Sequence, residues 1–414
     1  MEKNTKIFPF YKLFSYDILF YYAISILFLN GVKGLSLAEI ALLSSVYATC
    51  AIIFQIPAAL ITDKIGLRNS MVLGNIFCLL WGIDYLIAPT FATLAIGDLI
   101  LALGFALKGT SESPFLYSSL KKLNRLSDFG KIEGKGSSLY FIVEALACIA
   151  AGYLYKINVY LPVIFSCICA LLATVLAFFT TPIKNLKATN VTAKEKKDEL
   201  ISGFKFIFKS KRLHALLVFA CLFYGILAVA GTYFKTFLTT INVDSTTFGY
   251  IFAVASITAS IGSLVQEKIS KKFRNQTLTI VSLTYVASFV FIGVIATLTT
   301  NYNILLITGI IVYLFQMFVR GAYRIIVKNY VSNFTTSSIR SKLMSIYYLA
   351  ENFGSAIMLF LISSLLDTVQ IGLVYTLSGF VFSVALIIVL NYMQTRIGLK
   401  PEQYSKRDRL NLDD

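Results

Sequence analysis

Residues 57–70 read PAALITDKIGLRNS, and a related stretch, LVQEKISKKFRN, returns at 264–275. Asp63, Lys64 and Ile65 align with Glu267, Lys268 and Ile269 at an offset of 204, and Arg-Asn recurs two residues late. Each stretch is a short charged turn between two long apolar runs, the pattern expected where one helix leaves a bilayer and the next enters it. A spanning helix needs about 20 apolar residues. Outward from the first turn, apolar segments occupy about 14–30, 38–62, 70–88, 92–120, 136–155, 159–180, 213–238, 247–266, 277–297, 303–327, 343–366 and 371–393. These are spans 1 to 12 in chain order.

The composition agrees. Of 414 residues, 57% are apolar and 14% charged, with a mean hydropathy of +0.75. A soluble domain carries roughly 25% charged residues. A soluble fold of this composition would expose large apolar patches, and disordered chains need low hydrophobicity. The expectation is an all-α integral membrane protein with twelve transmembrane helices. The net charge of +16, from 37 Lys and Arg against 21 Asp and Glu, points to loops rather than to a nucleic-acid partner. Alternate connections, counting both ends of the chain, hold 31 basic residues, while the opposite set holds Lys33 and Lys156. Basic loops stay on the cytoplasmic side, so both termini are expected there.

All six cysteines fall inside apolar runs and His214 is the single histidine. No disulfide framework, metal site or cofactor is expected from such spacing. The opening MEKNTKIFPFYKLFSYD has no cleavage-site pattern, so span 1 is read as a retained helix.

The longest connection, about 181–212, is polar and lysine-rich and lies near the midpoint. It divides the chain into an N-terminal six-helix half (1–180), a cytoplasmic central loop (181–212), a C-terminal half (213–393) and a cytoplasmic tail (394–414). Within the loop, LISGFKFIFKSKR (200–212) reads equally as a surface-lying amphipathic helix or as a lead into span 7. The halves repeat each other. KGSSLYFIVEA (135–145) matches KLMSIYYLAEN (342–352) at an offset of 207, setting Glu144 opposite Glu351. Lys108-Gly109 in span 4 matches Arg320-Gly321 in span 10 at an offset of 212. Ordered matches at nearly constant offset indicate two homologous six-helix halves.

With these features the chain resembles the major facilitator superfamily. The family pattern between spans 2 and 3 is G-x-x-x-D-[RK]-x-G-[RK]-[RK], and Asp63, Lys64, Gly66 and Arg68 match it. Ala59 stands in place of the first glycine and Leu67 in place of one basic residue. The resemblance implies two pseudo-symmetric six-helix halves and a cytoplasmic gate motif at Asp63, Lys64, Gly66 and Arg68, echoed by Glu267 and Lys268. It also implies that spans 1, 4, 7 and 10 line a central cavity flanked by spans 5 and 11. Two departures stand out. Phe105 replaces the span 4 arginine, leaving Lys108 before Gly109, and LACIAAGYLY keeps only Gly152 of the exporter motif in span 5. KGTSESPFLYSSLKK (108–122) is similar to span 4 of bacterial members labelled drug or small-molecule exporters.

Ionisable groups at membrane depth cost about 2.5–3.5 kcal/mol on insertion scales, so they face a cavity or each other. Lys108 and Glu112, i and i+4 on span 4, share a face where they can pair, so Glu112 reads equally as a coupling or substrate group or as a structural partner of Lys108. Arg320 and Arg324 repeat that spacing with like charges and need a carboxylate or an anionic ligand. Glu144 and Glu351 lie roughly 12 Å inside spans 5 and 11, where they read as coupling groups or interhelical latches. These six residues are the substrate-binding or coupling candidates, and no catalytic residue is expected. Asp17, Asp84, Asp98 and Asp367 read as boundary groups near helix ends, and His214 as a headgroup-level residue. Tyr21, Tyr22, Tyr140, Tyr224, Tyr347 and Tyr348 read as a pocket for an amphiphile or as packing. Pro57 and Pro114 are expected to kink spans 2 and 4.

No GxxxxGK[ST] motif is present, so a gradient must supply the energy. The expected protein is a monomeric secondary transporter of a small organic solute in a bacterial inner membrane, exporting an amphiphile against protons, with Glu112 as the coupling carboxyl. The alternatives are proton-coupled uptake of a small anionic or polar metabolite, lipid flipping, and a non-transporting membrane sensor. An enzyme lacks a nucleophile and base pair, and a channel would need a continuous polar lining.

Overall fold

The computed structural model describes residues 1–183, 205, 207–273, 276–334 and 337–394. Most of the 181–212 loop, including 200–204 and 206 of its amphipathic stretch, and all but the first residue of the 394–414 tail lie outside the described residues. So do Arg274 and Asn275 of the second charged turn.

Among the described residues, ten helices are long and apolar enough to cross a membrane, and a bent pair makes an eleventh. The pair is α3 (Leu37–Ile53) and α4 (Gln55–Ile65), which together form span 2 with a bend of 50°. Pro57 explains it. Proline has no N–H for the Ile53 carbonyl and its ring collides with that carbonyl, so the helix breaks at Phe54. Spans 3 to 6 are α5 (Leu67–Ile87), α6 (Phe91–Lys122), α7 (Phe129–Ile157) and α8 (Leu161–Phe178). At Pro114 α6 is not broken as span 2 is at Pro57, and the helix continues through the proline. Spans 7 to 12 are α9 (Lys211–Thr240), α10 (Ser245–Phe273), α11 (Thr277–Leu298), α12 (Tyr302–Phe334), α13 (Ser337–Leu366) and α14 (Ile371–Gln394).

Span 1 departs most from its reading. It is two pieces, α1 (Glu2–Ser15) and α2 (Tyr21–Ile26), and α2 runs on as a π-helical turn over Leu27–Val32. Between them, Phe20 takes φ 66°. Asp17 bends its carboxylate back to accept its neighbour's N–H, Ile18 N, at 2.7 Å, a local bond that competes with helix. The Leu19 carbonyl, released by the break, accepts from Ser166 Oγ at 2.5 Å.

The described residues form two compact units. The first holds 1–35, 46–183 and 244–253, and the second holds 36–45 and the rest. In the first, α5 packs on α6 and α8, and α1 on α7. In the second, α11 packs on α12 and α14, and α9 on α13. Counted by span, the pairs 3–4, 3–6 and 1–5 recur six spans later, as homologous halves require.

Lipid tails are as apolar as Leu, so close side-chain contact and polar links hold such helices together more than exclusion from water. Phe8, Tyr11, Met71, Phe115, Leu116 and Leu120 form one such core of α1, α5 and α6, all fully buried. Asn4 adds polar links, donating to Ser119 Oγ at 3.1 Å and to the Thr181 carbonyl at 3.0 Å. On α14, Leu377, Phe380, Val381, Val384 and Ile388 recur at helical spacing and are all exposed, the face that hydrocarbon covers.

The segment 244–253 completes the first unit. Lys156, at the end of α7, pairs with Asp244 at 3.1 Å, and Ser245 Oγ donates to the Gly152 carbonyl at 3.0 Å. Hydrogen bonds from Thr246 and Thr247, and then Lys156, hold the Asp244 carboxyl well below the usual carboxylate range. In the second unit, 36–45 is held in the same way: Ala38 N donates to Asp367 at 3.1 Å and Ser45 Oγ to the Ala356 carbonyl at 2.7 Å.

Candidate functional site

The break in span 1 organises the polar groups of the first unit. Asp17 stands in it, exposed, about midway along a span that runs from residue 2 to residue 32. The helical part of span 1 begins some twelve residues before its apolar run. Tyr16 stacks on Tyr140 with ring centroids 4.5 Å apart, and the Tyr140 hydroxyl donates to Glu144 at 2.9 Å. Glu144 is thus drawn to span 1.

On the N-terminal side of the break lies an ion cluster. Lys12, roughly 15 Å from the start of α1, pairs with Glu112 of α6 at 3.0 Å and with Glu133 of α7 at 3.3 Å. Lys12 and Glu112 are each 9% exposed in their side chains. Glu112 also accepts from the Tyr11 hydroxyl at 2.8 Å and from Ser15, and Asn75 donates to Tyr11 at 3.1 Å. Three helices thereby meet on one lysine.

The expected Lys108–Glu112 pair is absent. Lys108 is buried with its amine 3.9 Å from Cys78 Sγ and 4.3 Å from the Phe105 ring centroid. The i,i+4 spacing put both residues on one helix, but Lys12 claims the carboxylate from across the bundle. Lys12 looked like one more basic residue of the N-terminal segment, and no local pattern singled it out.

Beyond the break lies an aromatic cluster. Tyr21, first residue of α2, has its ring 5.1 Å from Trp81 and 5.6 Å from Tyr85, which both donate to Asp98. Asp98 had been read as a solvated boundary group, yet it is buried. Three aromatic residues around one Asp were visible in the sequence, but their meeting was not.

In the second unit, Arg324 Nη2 donates to the Tyr224 hydroxyl at 3.4 Å. Arg320 and Glu351 act electrostatically on the same hydroxyl, so spans 7, 10 and 11 bring Tyr224, both arginines and Glu351 together. Arg324 is exposed, and Arg320 and Glu351 are half-buried.

The gate-motif residues are placed as follows. Gly66 separates α4 from α5 at φ 87° and ψ 158°, a region essentially reserved for glycine. Arg68 donates to the Phe178 carbonyl and sits 4.9 Å from that ring, in the same unit. Asp63 is half-buried and Lys64 exposed. Glu267 pairs with Lys271 at 2.6 Å on its own exposed helix face, and Lys268 is exposed beside it.

Two units of apolar helices with the same packed pairs, and charged clusters among those helices, define a multi-pass helical membrane fold built on an internal repeat. The Major Facilitator Superfamily profile matches residues 13–319, and the chain belongs to that family. Among curated proteins, an uncharacterized MFS-type transporter, YxaM, of Bacillus subtilis (strain 168) is 24% identical over 257 residues, 61% of this chain and 63% of that relative. The chain thus spans somewhat under two thirds of the length of the curated relative it matches. Among solved structures, a D-xylose–proton symporter superposes with a TM-score of 0.72 at 13% identity, over 94% of this chain and 97% of that one. The nucleoside transporter NupG gives 0.68 at 13% identity, over 97% of this chain and 100% of that one. A peptide transporter, POT, in complex with sulfate gives 0.69 at 15% identity, over 96% and 95%. These likenesses carry the fold. The curated relative is itself named a transporter.

Proposed function

We propose that this chain is a proton-driven secondary transporter of a small organic anion, a carboxylate or phosphate ester, which it carries by alternating access. The observation that supports the anion is the cluster of Arg320, Arg324 and Tyr224 around Glu351. Between residues 213 and 393 the acidic residues are Asp244, Glu267, Glu351 and Asp367, and Glu351 is the one at this cluster. Two guanidinium groups lie at this cluster, and guanidinium forks suit carboxylate and phosphate. The amphiphile reading finds less support. Tyr140 and Tyr347 are buried, their hydroxyls spent on Glu144 and on the Leu213 carbonyl at 2.7 Å.

In this reading the halves 1–180 and 213–393 rock about the substrate as a monomer in a bacterial inner membrane. Both termini are cytoplasmic, as the skew of basic loops favours. Lys12, Glu112 and Glu133 serve as a permanent ionic joint of spans 1, 4 and 5.

The test is counterflow in liposomes preloaded with single members of a panel of carboxylates, sugar phosphates and cationic amphiphiles. Trans-stimulated uptake of an anion, weakened roughly 10- to 100-fold in affinity by Arg324→Gln, is expected for the loss of a charge-assisted hydrogen bond. Flux of a cationic amphiphile that is indifferent to Arg324→Gln would overturn the proposal and restore the efflux reading.

A further inference from the structure

Asp98 is seven residues inside α6, about 10 Å from its Phe91 end, and is 7% exposed. Its Oδ1 accepts from the Tyr85 hydroxyl at 2.6 Å and from Trp81 Nε1 at 3.3 Å. The other titratable or charged groups facing it are Tyr21 of α2, Cys50 of α3 and Asp84 of α5. Asp84 lies against the preceding residue of α6: a Cβ at Gly97 would collide with Asp84 Oδ2, a buried atom with no hydrogen-bond partner. Lys33 is drawn to the end of α5, donating to the Leu86 and Ala88 carbonyls at 3.2 and 2.8 Å, and it faces Asp84. Among the described residues, every group that faces Asp98 is neutral or acidic.

A buried carboxylate with donors but no countercharge is discharged by binding a proton rather than by ion pairing. Glu112 is the opposite case, with Lys12 at 3.0 Å and two hydroxyl donors. A proton there would have to displace a cation.

We propose that Asp98, and not Glu112, binds the transported proton, and that span 1 reads its occupancy. This rests on the proton-driven transport proposed above. The ionised carboxylate holds Tyr85 and Trp81 as donors. A proton added to Oδ2 leaves Oδ1 a neutral carbonyl, so the bonds from Tyr85 and Trp81 lose their charge assistance and those two side chains are held less tightly beside Tyr21. Tyr21 is the residue at which α2 begins, directly after the break in span 1. Occupancy of one carboxyl is thereby passed to the point where the span can bend.

The experiment compares wild type, Asp98→Asn, Asp98→Glu and Tyr85→Phe in liposomes containing a pH-sensitive dye, with anion counterflow measured in parallel. Infrared difference spectra between acid and alkaline buffer are recorded on the same proteins without substrate. Asp98→Asn is expected to keep counterflow, to lose anion-dependent proton movement, and to lose one protonated-carboxyl stretch from the difference spectrum. Asp98→Glu restores both signals. Tyr85→Phe displaces the pH profile of proton movement by about one unit, the worth of one hydrogen bond to a carboxylate.

Proton movement that survives Asp98→Asn, or an infrared spectrum unchanged by it, overturns the proposal. Absence of anion counterflow in wild type would defeat the transport reading instead, and the infrared comparison still decides whether Asp98 takes the proton. If Asp98→Asn does not fold, Tyr85→Phe decides: a pH profile identical to wild type overturns the proposal.

Discussion

Replacing Glu112 by Gln keeps the shape of the side chain and removes its charge from a site where Lys12 stands 3.0 Å away and both side chains are 9% exposed. Removing one partner of a buried ion pair costs about 3–5 kcal/mol, since the other charge is left without compensation. Here Glu133, 3.3 Å from the same amine but 24% exposed, offsets part of that, while weakening of the Tyr11 and Ser15 bonds adds about 1 kcal/mol. The expected loss for Glu112→Gln is therefore about 3 kcal/mol, and for Lys12→Met about the same or slightly more. The double variant Lys12→Met with Glu112→Gln removes both charges, and replacing a whole buried pair is often close to neutral, so it should lie within about 1.5 kcal/mol of wild type. Reversible unfolding of the four proteins in mixed micelles, followed by helical circular dichroism, gives the coupling directly. Losses that add to within about 0.5 kcal/mol would falsify the shared ionic joint.

Other expectations follow from single features. Lys108→Met should not lower thermal stability, because the buried amine has a thiol and a ring as neighbours where a carboxylate was expected, and a lowered melting midpoint would contradict this. Gly66→Ala should cost about 1–3 kcal/mol through backbone strain alone, with Gly66→Ser costing the same, since nothing stands within 4 Å of an added Cβ. A loss that grows with side-chain size would mean contact, not strain. Asp244 has a folded pKa below its unfolded value of about 3.9, so its contribution is fully present above that pH and is lost as pH falls through the folded value. Asp244→Asn should accordingly destabilise the protein at neutral pH and make no difference in strong acid. A difference that persists at the lowest pH would refute the assignment.

The fold was largely legible because twelve apolar runs and a skewed distribution of basic residues are properties of sequence alone. The bend in span 2 was legible too, since Pro57 acts on its own helix. Span 1 was not. Its first turns, EKNTKIFPFYK, carry too many polar residues to register as membrane helix, and the structure turns several of these residues inward to partners 100 or more residues away. The six candidate residues were found by asking which charges lie at membrane depth, and that question gathered Arg320, Arg324 and Glu351 on spans that do converge. It failed for Lys108 and Glu112 because helical spacing states which residues share a face, while the choice between two lysines for one carboxylate depends on how α1 lies against α6. Asp98 was misread for a related reason. Nearness to a helix end measures distance along the helix, and Trp81 and Tyr85 shield it sideways.

The placement of 36–45 and 244–253 also bears on how the protein is made. The first turn of span 2 is secured by Asp367 and by the Ala356 carbonyl, more than 300 residues later in the chain. At about 5–20 residues per second, a ribosome takes roughly 15–65 s to deliver those partners. Through that interval the head of span 2 lacks those two later partners. A nascent chain stalled before span 11 should therefore leave Ser36 to Ser45 open to protease or insertase contact, and release of the stall should close it in one late step.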